Sequence, residues 1–160
     1  MHMFNHALAK GALFLAVAGL ATRFSDLRLA QLGGAASRMP WTCAALVVAG
    51  FSLVGVPATA GFISKWLLVV AALEQGATGI GLVALILVSS LMALVYIWQI
   101  IETLYFKPVV QGDMARGEAP PQLLAIIWLV ALANIYFGFF PQAPLALAEL
   151  SAAALLGGGA

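Results

Sequence analysis

One apolar stretch, residues 41–73, constrains this chain more than any other feature, because it interrupts its own helix. It runs for about 33 residues, whereas a helix needs only about 20 to cross a hydrocarbon core. Gly55, Pro57 and Gly61 fall close together inside it. Proline removes a backbone donor and clashes with the preceding turn, and glycine lets the backbone leave helical geometry. We therefore expect two half-helices joined by an irregular segment at Gly55–Gly61, with a merely kinked helix as the alternative.

The same stretch carries Lys65, which is the only charged residue between Arg38 and Glu74. A lysine deep in a membrane span costs roughly 3 kcal/mol or more, so its default interpretation is functional. Backbone groups freed at membrane depth are tolerated only where protein or a water-filled cavity covers them. Many secondary transporters build an ion site from such a broken helix. Two interpretations of Lys65 follow: a charge in an ion pathway, or a charge that is paired off structurally.

Composition assigns the chain to the integral membrane proteins. Of its 160 residues, 64% are hydrophobic and 8% are charged, against about 25% charged in a soluble domain. Apolar runs are long and show no period-2 alternation, which favours helices over a β-barrel. A net charge of +1 is too small to indicate a nucleic-acid partner. The lone Cys43 allows neither an internal disulfide nor a thiolate metal cage, and we expect no metal and no cofactor.

The pattern predicts an all-α integral membrane helix bundle with four transmembrane helices, the second one broken at Gly55–Gly61. The predicted spans cover residues 3–21, 41–73, 80–106 and 121–140. Residues 1–142 would form this bundle, and residues 143–160 an interfacial helix with a flexible, glycine-rich tail.

A polar stripe opens the first span, where His2, His6 and Lys10 recur four residues apart on one helix face. Three interpretations stay open. The segment could be a signal peptide with a basic start and a short apolar core. Lys10 could snorkel to the interface. The third interpretation, which we favour, places the stripe toward the interior of the bundle.

Two further polar residues lie in the later spans. Glu102 follows a long uncharged run, near the aromatic residues of an interfacial belt, so we place it at the membrane surface near Lys107 and keep it as a further candidate for a proton path. Asn134 is the one strongly polar residue of the fourth span, and we expect it to hydrogen-bond between helices.

Basic residues predict the orientation. Loop 22–40 contains three of them, loop 107–119 contains two, and the turn at 74–79 contains none. Alternation through four spans puts both basic loops on one side, which the positive-inside rule assigns to the cytoplasm. A multi-pass protein of the cell inner (plasma) membrane is the expected result.

Several stretches resemble a known family of transporters. HALAKGALFL at 6–15, SLVGVPATAGFISKWLLVVAALEQG at 52–76 and VYIWQIIETLYF at 95–106 resemble the proton-conducting membrane subunits shared by complex I and Mrp-type cation/proton antiporters. ISKW within the second stretch, and ALANIYFG at 131–138, favour the D-type subunit of the Mrp antiporters. The resemblance covers the last four helices of such a protein, so we expect this chain to be its C-terminal part.

This resemblance implies roles for particular residues. Lys10 matches the family's lysine on the helix before the break, His6 matches a histidine one turn away, and Lys65 matches the lysine of the broken helix. His2 lies where some members carry a further histidine. The glutamate–lysine pair of the family's first helix repeat has no counterpart here, so a complete transmembrane path is not expected from this chain alone.

The resemblance also implies a function and its partners. We expect proton and monovalent-cation translocation as part of a multi-subunit Na⁺(K⁺)/H⁺ antiporter, in contact with other membrane subunits and the lipid bilayer. The first alternative is a proton-pumping subunit of a complex I-like NADH:quinone oxidoreductase or a membrane-bound hydrogenase. The second is a structural membrane fragment that does not conduct. The sequence contains no nucleophile–base set and no phosphate-binding loop, so any redox chemistry would lie in another chain.

Overall fold

The computed structural model describes residues 1–109 and 117–155, and all of the regular structure in these two ranges is helical. Two short 3₁₀ turns, Leu29–Gln31 and Ala35–Ser37, lie in the first loop. The six α-helices are α1 His2–Ala21, α2 Pro40–Val54, α3 Ala60–Leu73, α4 Ala77–Phe106, α5 Pro121–Phe139 and α6 Gln142–Leu155.

Three of these helices, α1, α4 and α5, are each long and apolar enough to cross a membrane. The helices α2 and α3 are equally apolar but have only 15 and 14 residues. Together they form the one remaining span, interrupted near its middle. The prediction of an all-α membrane bundle whose second span is broken is therefore confirmed.

Helix α1 lies at the centre of the bundle, against α2, α3 and α5. Its buried residues are Asn5, Ala9, Ala12, Ala16, Gly19 and Leu20, and most of them are small. Small side chains at helical spacing let neighbouring backbones approach closely, which is how helices pack in lipid. At Gly19 the approach is so close that an added Cβ would lie 3.0 Å from two side-chain carbons of the neighbouring helices.

The break between α2 and α3 is a tight turn. Helix α2 ends at Val54, and Gly55 adopts a left-handed conformation with φ of 90°. The Thr59 N–H then donates to the Val56 carbonyl oxygen, closing a turn in which Pro57 precedes Ala58. Ala58 has φ of 72°, so the turn has the proline and the positive φ typical of type II. A true break, and not a kink, separates the two half-helices.

The irregular segment is shorter than the predicted Gly55–Gly61, because α3 begins at Ala60 and Gly61 lies in its first turn. Gly61 serves another purpose. A Cβ at this position would collide with the carbonyl oxygen of Ser52 on α2, so glycine is what lets the two half-helices touch. Helix α5 approaches the break in the same way: a Cβ at Gly138 would meet the Ala58 carbonyl oxygen at 2.5 Å.

Both basic loops lie at the same end of the bundle, as predicted. The Arg23 side chain donates through Nε to the backbone oxygen of Glu118, at 3.0 Å. The Gly34 N–H, in the same first loop, donates to the Thr103 carbonyl oxygen near the end of α4. Residues 110–116 of the second loop lie outside the described ranges.

At the other end of the chain, α6 follows α5 after Pro141. Its Leu147 and Leu150 side chains are exposed. The interfacial position of this helix stays a prediction, and the predicted flexible tail at 156–160 lies outside the described residues.

Candidate functional site

The side chain of Lys65 reaches back along α3 to the break. Its ammonium nitrogen donates to the carbonyl oxygens of Leu53 and Val54, at 3.0 and 2.8 Å. It also donates to the hydroxyl oxygen of Ser90 on α4, at 2.9 Å. An ammonium has three N–H donors, so these three partners satisfy all of them. Lys65 is thus fixed between α2 and α4.

The carbonyl groups are free because α2 ends there. The N–H groups of Gly55 and Val56 both donate to the Phe51 carbonyl oxygen, which leaves the last carbonyls of α2 without partners in their own helix. These carbonyls carry the partial negative charge of a helix C-terminus, which attracts a cation. Gly55 makes room for it, since an added Cβ would lie 3.0 Å from Cδ of Lys65.

A histidine from α1 lies on the other side of α3. Nδ1 of His2 lies 3.1 Å from the hydroxyl oxygen of Ser64. The Ser64 hydroxyl also donates to the Gly61 carbonyl oxygen, at 3.0 Å, an arrangement that suits the tautomer of His2 with its proton on Nδ1. The ring of His6 follows at 5.7 Å from that of His2, measured between centroids. The two histidines and α3 therefore form one polar edge.

Buried polar side chains of α1, α2 and α5 form hydrogen bonds that stabilise the break. Nδ2 of Asn5 donates to the Ala60 carbonyl oxygen at 2.8 Å, at the start of α3. The Ser52 hydroxyl donates to Oδ1 of Asn134 at 2.9 Å and accepts from the Gly61 N–H at 3.3 Å. Asn134 also donates to a carbonyl of α1. The predicted interhelical role of Asn134 is confirmed: α2 is hydrogen-bonded to α5, α5 to α1, and α3 to α1 and α2.

A cavity of about 10 Å³ lies between the histidine edge and Lys65, large enough for about one water molecule. Its lining comes from α1, α2 and α3: His2, Asn5, His6, Ala9, Ser52, Leu53, Gly61, Ser64 and Lys65. Oδ1 of Asn5 is fully buried and has no hydrogen-bond partner among the described residues. The two histidines of α1 and the lysine of the broken helix thus line the same cavity.

The structure brings some of the predicted site residues together and leaves others apart. Lys65, His2 and His6 share the cavity lining, although His6 is exposed on its other side. Lys10 is exposed, one turn beyond His6. Glu102 is exposed too, and it lies twelve residues after Ser90, roughly 18 Å along α4. Glu102 is therefore separate from the Lys65 cluster.

In the described chain the polar stripe lies at an edge of α1, and the prediction that it faces the interior of the bundle stays a prediction. The buried face of α1 begins at Asn5 and continues through Ala9, whereas His6 and Lys10 lie beside it at an open edge. The physical reason is size: alanine and glycine let α2 and α5 approach, and imidazole and lysine side chains would hold them apart.

Sequence reasoning missed the polar residues that hold the site: Asn5, Ser52, Ser64 and Ser90. One signal was present, because each carries a hydroxyl or amide in an apolar span, where such groups bond between helices. The signal did not indicate which of them meet Lys65, and Ser89 next to Ser90 shows why. Ser89 has the same chemistry, but it is exposed and donates within its own helix to Ile86.

Comparison with known proteins identifies the family. The family model described as "NADH:quinone oxidoreductase/Mrp antiporter, TM" matches residues 1–93, which include α1, the break and Lys65. The chain belongs to this family. It is 41% identical over 122 residues to NADH-quinone oxidoreductase subunit N from Desulforudis audaxviator, covering 76% of this chain and 24% of that protein.

Two solved structures have the same fold. A chain of the Mrp complex from Dietzia sp. matches with a TM-score of 0.80 and 23% identity, over 93% of this chain and 35% of that one. A chain of respiratory complex I from Thermus thermophilus matches with a TM-score of 0.70 and 26% identity, over 89% and 33%. The chain therefore spans between about a quarter and a third of the proteins that it matches.

Proposed function

We propose that this chain is a proton-conducting membrane subunit and that Lys65 is the group that gains and loses the proton. The observation that carries this proposal is how Lys65 is bound. Its ammonium sits at the break of a transmembrane helix and is held by neutral oxygens alone. Within residues 1–109 and 117–155, no carboxylate forms a salt bridge with it.

This arrangement suits a switchable charge. A lysine paired with a buried carboxylate is locked in its charged form, whereas desolvation without a counterion disfavours that form. Helix-end carbonyls offset part of this cost and keep the ammonium stable enough to exist. Both protonation states are then accessible, which proton transfer requires. Half-helix ends at the middle of a membrane bind protons and monovalent cations in the same manner in other transporters.

The two histidines of the polar edge supply further titratable groups near Lys65. Histidine titrates near neutral pH and can pass protons on. His2 is bonded to Ser64, the residue next to Lys65, and His6 lies beside His2. We assign Lys10 to the outer end of this edge, where its exposed ammonium would meet a neighbouring subunit. Glu102 is left out of the path because of its distance from Ser90.

We propose that the chain works within a hetero-oligomeric membrane assembly in the plasma membrane, with loops 22–40 and 107–119 in the cytoplasm. The clustering of the basic loops at one end supports this orientation. For the transported species we favour protons exchanged for Na⁺ or K⁺, on the ISKW and ALANIYFG resemblance. The second candidate is redox-driven proton pumping, which the 41% identity to an NADH-quinone oxidoreductase subunit supports. The third is a structural subunit that does not conduct.

Substitution of Lys65 in the assembled complex tests the proposal. We expect K65A to abolish proton translocation into sealed membrane vesicles while the complex still assembles. K65R should fail as well, because arginine does not deprotonate at accessible pH. The matched control is K107A, since Lys107 is an exposed lysine at the end of α4. Full translocation by K65R would show that a fixed charge suffices and would favour the structural subunit.

The driving force separates the two conducting candidates. The same vesicles are given either an inward Na⁺ or K⁺ gradient without reductant, or NADH without a cation gradient. Proton movement driven by the cation gradient supports the antiporter. Proton movement that requires NADH oxidation supports the redox-driven assembly and contradicts cation exchange.

A further inference from the structure

Ser90 differs from the other partners of Lys65 in one chemical respect. Backbone carbonyl oxygens can only accept hydrogen bonds, so Leu53 and Val54 serve Lys65 only through its N–H groups. A serine hydroxyl can accept or donate, and it can rotate between the two. Among the described residues, Ser90 is the one hydroxyl that hydrogen-bonds to Lys65.

The two protonation states of Lys65 differ in the number of N–H groups, and Ser90 can be a partner in both of them. The ammonium form has three N–H groups, which donate to two carbonyls and to Ser90. The neutral amine has two N–H groups and one lone pair. If the two N–H groups stay on the carbonyls of Leu53 and Val54, the lone pair faces Ser90, whose hydroxyl can turn and donate to it. The same three partners then satisfy both states without any movement of the lysine chain.

Among the described residues, no titratable side chain forms a hydrogen bond with Lys65, so none can replace Ser90 as a partner of both protonation states. The titratable groups that face it are His2 and His6, from α1, on the opposite side of the cavity. Helix α2 contributes carbonyl groups, and α4 contributes Ser90. An unsatisfied amine inside a membrane span is costly, because the hydrocarbon core supplies no water to complete its hydrogen bonds.

We propose that Ser90 is a positioning residue for proton transfer, which holds Lys65 in place in both protonation states by reversing one hydrogen bond. This inference rests on the proposed function of Lys65 and adds to it a residue from α4 that acts through the lysine. A simpler role, in which Ser90 only fastens α3 to α4, would affect stability alone.

The neighbouring serine supplies the matched control for the test. S90A removes the reversible partner, whereas S89A removes a hydroxyl that bonds only within α4. S90T keeps the hydroxyl. In the assembled complex we expect S90A to lower the rate of proton translocation by about tenfold, the value of one lost hydrogen bond to a charged group. S89A should match the unmodified complex, and S90T should retain most of the rate.

The pH profile separates positioning from fastening. In S90A the midpoint of the pH profile of the translocation rate should move to lower pH by about one unit, because the charge-assisted hydrogen bond lost by the ammonium is stronger than the one lost by the neutral amine. An unchanged midpoint and rate in S90A, while K65R remains inactive, would overturn the role of Ser90 and leave that of Lys65 intact. If S90A does not assemble, S90C, which offers a weaker partner of similar size, is judged by the same two criteria.

Discussion

The two ends of helix α2 carry opposite charges that follow the same electrostatic rule. At the N-terminus, the Glu118 carboxylate accepts from the N–H of Trp41 at 2.6 Å and from the N–H and hydroxyl of Thr42 at 3.3 and 2.7 Å. At the C-terminus, the Lys65 ammonium donates to the last carbonyls. A helix dipole favours an anion at its start and a cation at its end, so both charges stabilise α2.

The two ends of α2 differ in their surroundings. The difference indicates that one charge contributes to stability and the other to function. Glu118 belongs to the loop between α4 and α5 and lies at the end of the bundle. It supplies a cap that α2 lacks locally, since Met39 precedes Pro40 and offers no capping side chain. Lys65 lies among apolar helices, where a charge is expensive. The same kind of interaction therefore stabilises the N-terminus of α2 and, at its C-terminus, binds the charge that we propose to gain and lose a proton.

We expect the largest effect from a substitution that pushes α3 away from the C-terminal end of α2 by a steric collision. In G61A the new methyl group would run into the Ser52 carbonyl oxygen and push α3 away from α2. Overpacking against backbone costs about 3 kcal/mol or more, and it would also withdraw Lys65 from its carbonyls. We expect strongly lowered thermal stability in detergent and loss of the chain from its complex.

The control for that experiment is G11A, because a Cβ at Gly11 meets nothing within 4 Å. It should leave the melting temperature unchanged or raise it slightly, since alanine is the better helix former. If G61A melts like G11A, the close contact of the two half-helices is not what holds the break together.

A smaller effect is expected at the N-terminal end. E118A leaves the N–H groups of Trp41 and Thr42 and the Thr42 hydroxyl without their acceptor, which costs about 1–3 kcal/mol. E118Q keeps one acceptor oxygen and should lose about half as much. Thermal unfolding measures both variants. The assembled complex should translocate protons at nearly the normal rate in each variant. A loss as complete as that in K65A would contradict the conclusion that Glu118 contributes to stability and not to proton transfer.

The smallest effect concerns the turn that joins the two half-helices. Ala58 has φ of 72°, a conformation that costs an L-residue about 1 kcal/mol. A58G should therefore stabilise the chain by up to about 1 kcal/mol, seen as a slightly higher melting temperature. The reverse substitution G55A, at φ of 90°, should destabilise it by at least as much, because the added Cβ would also lie 3.0 Å from Cδ of Lys65. Equal melting temperatures for the two variants would mean that the turn adjusts freely.

The fold was predictable from the sequence where it depends on composition and on the positions of proline and glycine. Long apolar runs limit a chain in lipid to helices, because backbone groups must be satisfied internally. Pro57 and Gly55 mark the break within a stretch too long for one span. Gly61 shows the limit of this reasoning: a glycine in a sequence can end a helix or let a neighbouring helix approach, and only the position of Ser52 shows that Gly61 does the second.

The sequence by itself determined that Lys65 is a charge in a broken membrane helix, since that conclusion needs only hydropathy and the order of residues. Only the tertiary structure decided its partners. Lys65 lies eight residues before the end of α3 and Ser90 thirteen after the start of α4, roughly 12 and 20 Å along the helices. The register of a helical hairpin alone would not pair them. They meet because a helical side chain leans toward its N-terminus, so the lysine extends away from the turn and along α4 to reach Ser90.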